Sequence, residues 1–237
     1  MKIQLPCLLL LAALAGCASP QHHADKKIKV LVLTGNHDFR AGPFFKMFQD
    51  NPEISFTNGK DVMAAEGYDR ADLFSYNVVV LYDVPGSITD AEKARFLALF
   101  DKGIGLVVLN HAYLSYPLWP EFGRIAGGRY IYQTQQITNG VTESSCQHHV
   151  TIPVTVVAGN HPVTAGMTDF VIADELYVNM DMAGNSTPLL KTGDEWVGWC
   201  RAEKKSRVVG TILGDDCYAD PNFRKLVAQS IRWTAKR

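Results

Sequence analysis

Cysteine is scarce in this chain, with five in 237 residues, at positions 7, 17, 146, 200 and 217. None has a CxxC partner or the spacing of a zinc ligand set, which argues against a thiolate metal site. An excess of one charge is also missing: 23 Lys and Arg stand against 24 Asp and Glu, for a net charge of -1. Without an electropositive footprint, nucleic acid is excluded as the expected partner, and small neutral or weakly anionic ligands fit better. The chain has no internal repeat, no low-complexity tract and no linker, so residues 28–237 read as one domain. That length is enough to bury a core without staples.

The first residues are not part of that fold. Met1-Lys2 is followed by an apolar run from Leu8 to Leu14 and then by small residues, which is the pattern of a secretory leader and not of a membrane span. Leu14-Ala15-Gly16-Cys17 resembles the bacterial lipoprotein box. That resemblance implies cleavage after residue 16 and lipid on Cys17, hence a periplasm-facing protein held to the membrane of the cell envelope. Ala18 stands where an aspartate would resemble an inner-membrane retention signal, so the outer membrane is the implied destination. Residues 17–27, polar and containing His22-His23, read as a tether. Cys146, Cys200 and Cys217 then remain, and an oxidising compartment permits one disulfide among them that spacing does not assign.

Three apolar runs read as buried parallel strands: Lys29 to Thr34, Asn77 to Tyr82 and Ile104 to Leu109. Glu53 to Thr57 reads as a short strand. Gly42-Pro43 opens a helix with Phe44, Met47 and Phe48 on one face. Thr89-Asp-Ala-Glu92 is a capping box, and the helix it opens runs to about Lys102 with Phe96, Leu97 and Phe100 inward and Gly103 as its stop. Such alternation implies an α/β fold with a doubly wound, mostly parallel sheet flanked by helices. From Arg129 to Ile212 the pattern becomes β-rich, with strands expected at 130–132, 150–157, 189–190, 195–201 and 207–213, an insertion that extends the sheet. Asp220-Pro221 starts a last helix, with Phe223, Leu226, Val227, Ser230, Ile231 and Thr234 at helical spacing.

Polar residues gather where the strands end. Asn36-His37-Asp38 follows the first, Asp83 the third, Asn110-His111 the fourth and Asp215-Asp216 the last. Parallel strands deliver their carboxyl ends to one edge, so these residues can meet in one crevice. Asn160-His161-Pro162 and Asp174-Glu175-Leu176-Tyr177 are further candidates. Each has a plain structural alternative: a turn shaped by Pro162, a cap before Leu176, a turn at Asp215-Asp216. Tyr113, Tyr116, Trp119, Trp196 and Trp199 can stack on sugar rings or fill the core.

Taken together, Leu31 to Phe39, His111 with Tyr116-Pro-Leu-Trp119 and Gly127-Gly128, His161-Pro162, Asp174 to Tyr177, and Leu213-Gly214 with Pro221-Asn-Phe223 and Trp233 resemble the ThuA-like (trehalose utilisation) family. The resemblance implies a flavodoxin-like layer similar to class I glutamine amidotransferases, lacking their cysteine nucleophile. The strand that would carry that cysteine ends here in Asn110-His111, which argues against thiolate chemistry. Two departures stand out. Leu213-Gly214-Asp215-Asp216 replaces the family's Leu-Gly-His-Asp, and the Gly-rich turn before the arginine becomes Lys204-Lys205-Ser206-Arg207. A carboxylate at residue 215 still offers a metal an oxygen and shifts preference to harder cations.

What the resemblance implies is action on small carbohydrates, above all disaccharides oxidised at C3, by lyase or hydrolase chemistry. A 3-oxo group acidifies the C2 proton, so a base and an electrophile suffice to expel the group at C1. The expected catalytic residues are His37, His111, His161, Glu175 and Asp215. Asn36, Asp38, Asn110, Tyr116, Trp119 and Tyr177 are expected to contact substrate. A divalent metal, if used, would sit on His37, His111 and Asp215. The alternatives are a sugar-binding lipoprotein that keeps the fold without turnover, and an interaction module of an envelope complex.

Overall fold

The computed structural model describes residues 26–60, 67–132 and 143–237. The expected leader, the lipid on Cys17 and all of the tether but Lys26 and Lys27 lie outside these. Among the described residues no helix is long and apolar enough to cross a membrane.

The chain runs β1 (Ile28–Gly35), α1 (Ala41–Gln49), β2 (Ile54–Lys60), β3 (Val78–Asp83), α2 (Asp90–Lys102), β4 (Gly105–Leu109), α3 (Pro120–Ala126), β5 (Gly128–Arg129), β6 (Ser145–Val156), β7 (Phe170–Val178), β8 (Asp181–Met182), β9 (Thr187–Thr192), β10 (Glu195–Glu203), β11 (Ser206–Thr211) and α4 (Pro221–Thr234). Nine strands form one sheet in the order β2-β1-β3-β4-β11-β10-β9-β6-β7, and β5 pairs with β8 beside it. Pairing is parallel from β2 to β11 and antiparallel from β11 to β7.

The expectation of a mostly parallel, doubly wound sheet is therefore corrected: the α/β fold stands, but its sheet is mixed. For β9, β10 and β11 the reason is connection length. A parallel neighbour needs a crossover of a dozen residues or so. Here β10 turns into β11 through Lys204-Lys205, with Lys204 at φ 49, and β9 into β10 around Gly193 at φ 55. Such short turns allow only antiparallel return.

The parallel half behaves as its apolar runs dictate. Val30 to Leu33, Val78 to Leu81 and Leu106 to Leu109 are at most 1% exposed, each such side chain contributing about 1.5–3 kcal/mol. The helix signals also hold. Thr89 caps α2, its hydroxyl accepting from the Glu92 amide at 3.2 Å while Glu92 accepts from the Thr89 amide at 2.7 Å. Leu99 joins Phe96 and Phe100 in the core, and Leu97 packs half-buried against it. Asp220 accepts from the Asn222 and Phe223 amides at 2.8 and 3.1 Å, and all six residues of the α4 stripe are buried. Gly128–Arg129, not 130–132, forms the strand after α3.

Candidate functional site

The carboxyl ends of β1, β3, β4 and β11 share an edge, and the polar residues that leave them converge there. Off β4, Asn110 takes a left-handed φ of 41, a conformation Asn tolerates better than most residues. It is fully buried, and its amide nitrogen donates to the Ile212 carbonyl at 2.7 Å and to Glu175 Oε2 at 3.4 Å. That turn sets His111 over the edge. Off β1, Asn36 at φ 61 does the same for His37, whose ring centre lies 4.7 Å from that of His111.

Off β11, Gly214 sits at φ 120, where an added Cβ would come 2.8 Å from the Phe223 ring. The loop beyond it is held by Asp174 of β7. This buried carboxylate accepts from the amides of Gly214, Asp215 and Asp216 at 2.7, 3.1 and 3.2 Å and from the Cys217 thiol at 3.0 Å. Burial raises its pKa above the usual carboxylate value although those bonds pull it down. Tyr82 secures the loop from β3, its hydroxyl donating to the Gly214 carbonyl at 2.8 Å.

The centre of the arrangement is Glu175, 2% exposed, on the neighbouring residue of β7. Its Oε2 lies 3.6 Å from His111 Nε2, which is 3.8 Å from Asp215 Oδ1. One ligand atom from each of His111, Glu175 and Asp215 falls within 4.8 Å of the others, a span that closes on a single cation with modest side-chain movement. Burial lowers the His111 pKa, and the raising effect of Glu175 does not reverse it. A neutral imidazole ligates or donates one hydrogen bond. His111 Nδ1 is buried without a hydrogen-bond partner among the described residues.

Several expected residues lie elsewhere or do other work. His37 is beside His111, but its Nε2 lies 2.8 Å from the Tyr82 carbonyl and its Nδ1 3.2 Å from that of Asp38. Both nitrogens face backbone oxygen, so Glu175 takes its place in the ligand set. His161 is the clearest correction. Its ring packs on Trp233 at 4.8 Å, its Nε2 is 3.6 Å from Cys200 Sγ and its Nδ1 accepts from the Val163 amide. Trp233 ends α4 near Arg207, at the amino end of β11, whereas the cluster lies past the carboxyl end. Tyr116, at φ 51, and Trp119 pack with Phe122, and Trp119 also meets Phe96; Tyr177 is buried against Tyr130. Tyr116 and Trp119 serve the core, whereas the Tyr177 hydroxyl lies beside Glu175, and burial together with that carboxylate raises its pKa. Asn36 and Asp38 are exposed at the rim, and Arg40 pairs with Asp216 across it.

Two residues escaped the sequence reading. Cys146 and His148 on β6 meet the other oxygen of Glu175: the thiol donates to Oε1 at 2.8 Å, and His148 Nδ1 lies 2.8 Å from the same oxygen. The signal was the period of two, since residues i and i+2 of a strand share a face. The disulfide that an oxidising compartment would permit is not formed among the described residues, Cys146, Cys200 and Cys217 all being free. Burial raises the Cys146 thiol well above its ordinary pKa and Glu175 adds to this; burial pushes Cys200 up to about 11. A cleft of about 330 Å³ lined by Gly123, Arg124, Arg129 and Asp181 lies apart from this cluster.

Comparison with known proteins agrees with this architecture. A family model described as trehalose utilisation, ThuA, matches residues 29–234. Among solved structures, a ThuA-like protein from Parabacteroides merdae is 20% identical with a TM-score of 0.73, covering 89% of this chain and 90% of its own. Another from Bacteroides uniformis is also 20% identical, with a TM-score of 0.65 over 91% and 95%. A glutamine amidotransferase from Thermotoga maritima is 11% identical with a TM-score of 0.52 over 90% and 100%. At these identities the likeness is one of fold. No curated protein sequence matches the chain.

Proposed function

The chain belongs to the ThuA, or trehalose utilisation, family, and from that premise we propose that it acts on small carbohydrates, cleaving glycosides oxidised at C3. The observation that carries the reading is His111 Nε2 set between the carboxylates of Glu175 and Asp215, at 3.6 and 3.8 Å, on the edge where the strands end. Asp215 is the more accessible carboxylate, with 27% of its side chain exposed against 2% for Glu175.

The reaction follows from those positions. Asp215 takes the C2 proton that the 3-oxo group has acidified, and the freed electron pair forms an enolate. Neutral His111 donates its one N–H to the enolate oxygen. Collapse of the enolate makes the C1–C2 double bond and breaks the C1–O bond, and protonated Asp215 returns its proton to the departing oxygen, so the aglycone leaves as an alcohol. Glu175, held by Asn110, keeps His111 turned to the edge. A divalent cation held instead by His111 and Glu175 would supply positive charge at that oxygen in place of the His111 N–H and leave Asp215 free as the base.

The test is incubation of the purified protein with a 3-oxo-disaccharide, with and without added divalent metal. Release of the aglycone sugar is expected, and Asp215→Asn should slow it by about 10²-fold or more. Absence of release under every metal condition overturns the reading. The carboxylate at residue 215 favours one alternative, a protein that binds the sugar without turnover. Calorimetry would then show binding without consumption, and Asp215→His would leave affinity nearly unchanged.

A further inference from the structure

Glu175 has two oxygens, and only Oε2 belongs to the cluster with His111. Oε1 meets Cys146 and His148. The strand register explains the meeting. Cys146 pairs with Tyr177 and Gln147 with Leu176, and the ladder resumes at Val150 with Asp174. One extra residue on β6 therefore stands against Glu175, a β-bulge with His149 at φ 53. Opposed residues of an antiparallel pair share a face. Cys146, His148 and Glu175 thus project together.

We propose that Cys146 Sγ, His148 Nδ1 and Glu175 Oε1 form a cation site for a zinc-like metal, with Glu175 as a carboxylate shared between this site and His111. The donor set is the soft and borderline kind that selects such ions: one thiolate, one imidazole and one carboxylate oxygen. Three protein ligands leave a fourth tetrahedral position for water or a ligand oxygen.

The spacing can be judged against coordination geometry. Bonds of ~2.3 Å to sulfur and ~2.0 Å to nitrogen at a tetrahedral angle separate the two atoms by about 3.5 Å. Cys146 Sγ and His148 Nδ1 are 3.7 Å apart. Glu175 Oε1 is 2.8 Å from each, nearer than the ~3.3–3.5 Å a metal imposes, so oxygen and ligands must part by roughly half an ångström. His148 can yield, because 66% of its side chain is exposed. Without metal the same contacts are hydrogen bonds. On binding, the cation takes the place of the thiol proton, which leaves to solvent as the Cys146 thiolate forms. The inference rests on the β6–β7 geometry and not on the carbohydrate reading.

Titration of the purified, reduced protein with cobalt(II), and zinc competition against it, tests the site. The expected result is a tetrahedral cobalt spectrum with a thiolate-to-metal charge-transfer band. That band should vanish in Cys146→Ser and persist in Cys200→Ser and Cys217→Ser. His148→Ala, a change at an exposed side chain that leaves the core intact, should weaken zinc binding about tenfold or more. His111→Ala should keep the thiolate band, which separates this site from the one on His111, Glu175 and Asp215. Cobalt binding without a thiolate band, a band that survives Cys146→Ser, unchanged zinc affinity in His148→Ala, or no binding at all each overturns the proposal. Failure of sugar turnover leaves these spectra unaffected.

Discussion

Asp174 holds the loop that carries Asp215, and it does so through three backbone N–H groups and a thiol. Asp174→Ala would strand those donors, and each buried donor left unmet costs about 1–3 kcal/mol. With partial relaxation we expect a total loss of about 3 kcal/mol, read from urea denaturation midpoints; a loss below about 1 kcal/mol would refute the anchoring role. The histidines make a second prediction. Burial lowers the pKa of both His111 and His161 below 6.5, with Arg207 adding to the effect at His161. In the unfolded chain both titrate near their ordinary value, so the unfolded state binds more protons once pH falls below about 6.5. Their contribution to stability is full above that pH and is lost as pH falls toward the folded values. Denaturation midpoints between about pH 7 and about pH 5 should fall less steeply in His161→Gln, which removes one of the two titrations. An unchanged slope would rule out this role for His161.

The elements differ in how much of them the sequence disclosed, and the differences have causes. Thr89 and Glu92 announce α2 because a capping box is local, needing nothing beyond three residues of chain. The α4 stripe is equally local. By contrast, β7 carries Asp174 and Glu175 side by side in its interior, and charged neighbours imitate a cap or a loop unless the partner strand is known. α3 spans only seven residues, too short for periodicity to show. The direction of β10 and β11 was hidden as well, since a fully buried strand reads the same in a parallel or an antiparallel neighbourhood. His37, His111 and Asp215 were legible from strand ends. Cys146 and His148 were not, because their value depends on a register set by β7. Register also governs Gly210, in the middle of β11. A Cβ there would overlap the Tyr113 hydroxyl and lie 2.7 Å from Trp199 Nε1, so Gly210→Ala should cost about 1–3 kcal/mol. Thermal melting would show a drop of several degrees; a neutral outcome would mean that Tyr113 and Trp199 repack freely.

Across the whole molecule, the cluster lies where two halves of one sheet contribute side chains from different chain neighbourhoods. His37, His111 and Asp215 come from parallel strand ends; Cys146, His148, Asp174 and Glu175 come from β6 and β7. The family resemblance was visible because its motifs keep their order along the chain, yet order alone does not say which donor meets which. The β6–β7 ribbon joins the main sheet at Thr155 with Lys191 and Val156 with Leu190, continued by the Val157 N–H on the Leu189 carbonyl. Both pairs sit at the end of β6 remote from Glu175, whose own end is tied down by side chains. A bound ligand at Glu175 therefore adds a further tie at an end already held by Asp174 and by the Ser144 backbone N–H on the Ile131 carbonyl. Its binding energy adds to the cost of lifting the ribbon, by ~2.7 kcal/mol at a hundredfold excess over Kd. Amide exchange along 145–150 and 172–178 should slow by about two orders of magnitude on saturation, while β1 and β3 stay as they were. Equal slowing everywhere would mean that the ribbon opens only with the whole fold.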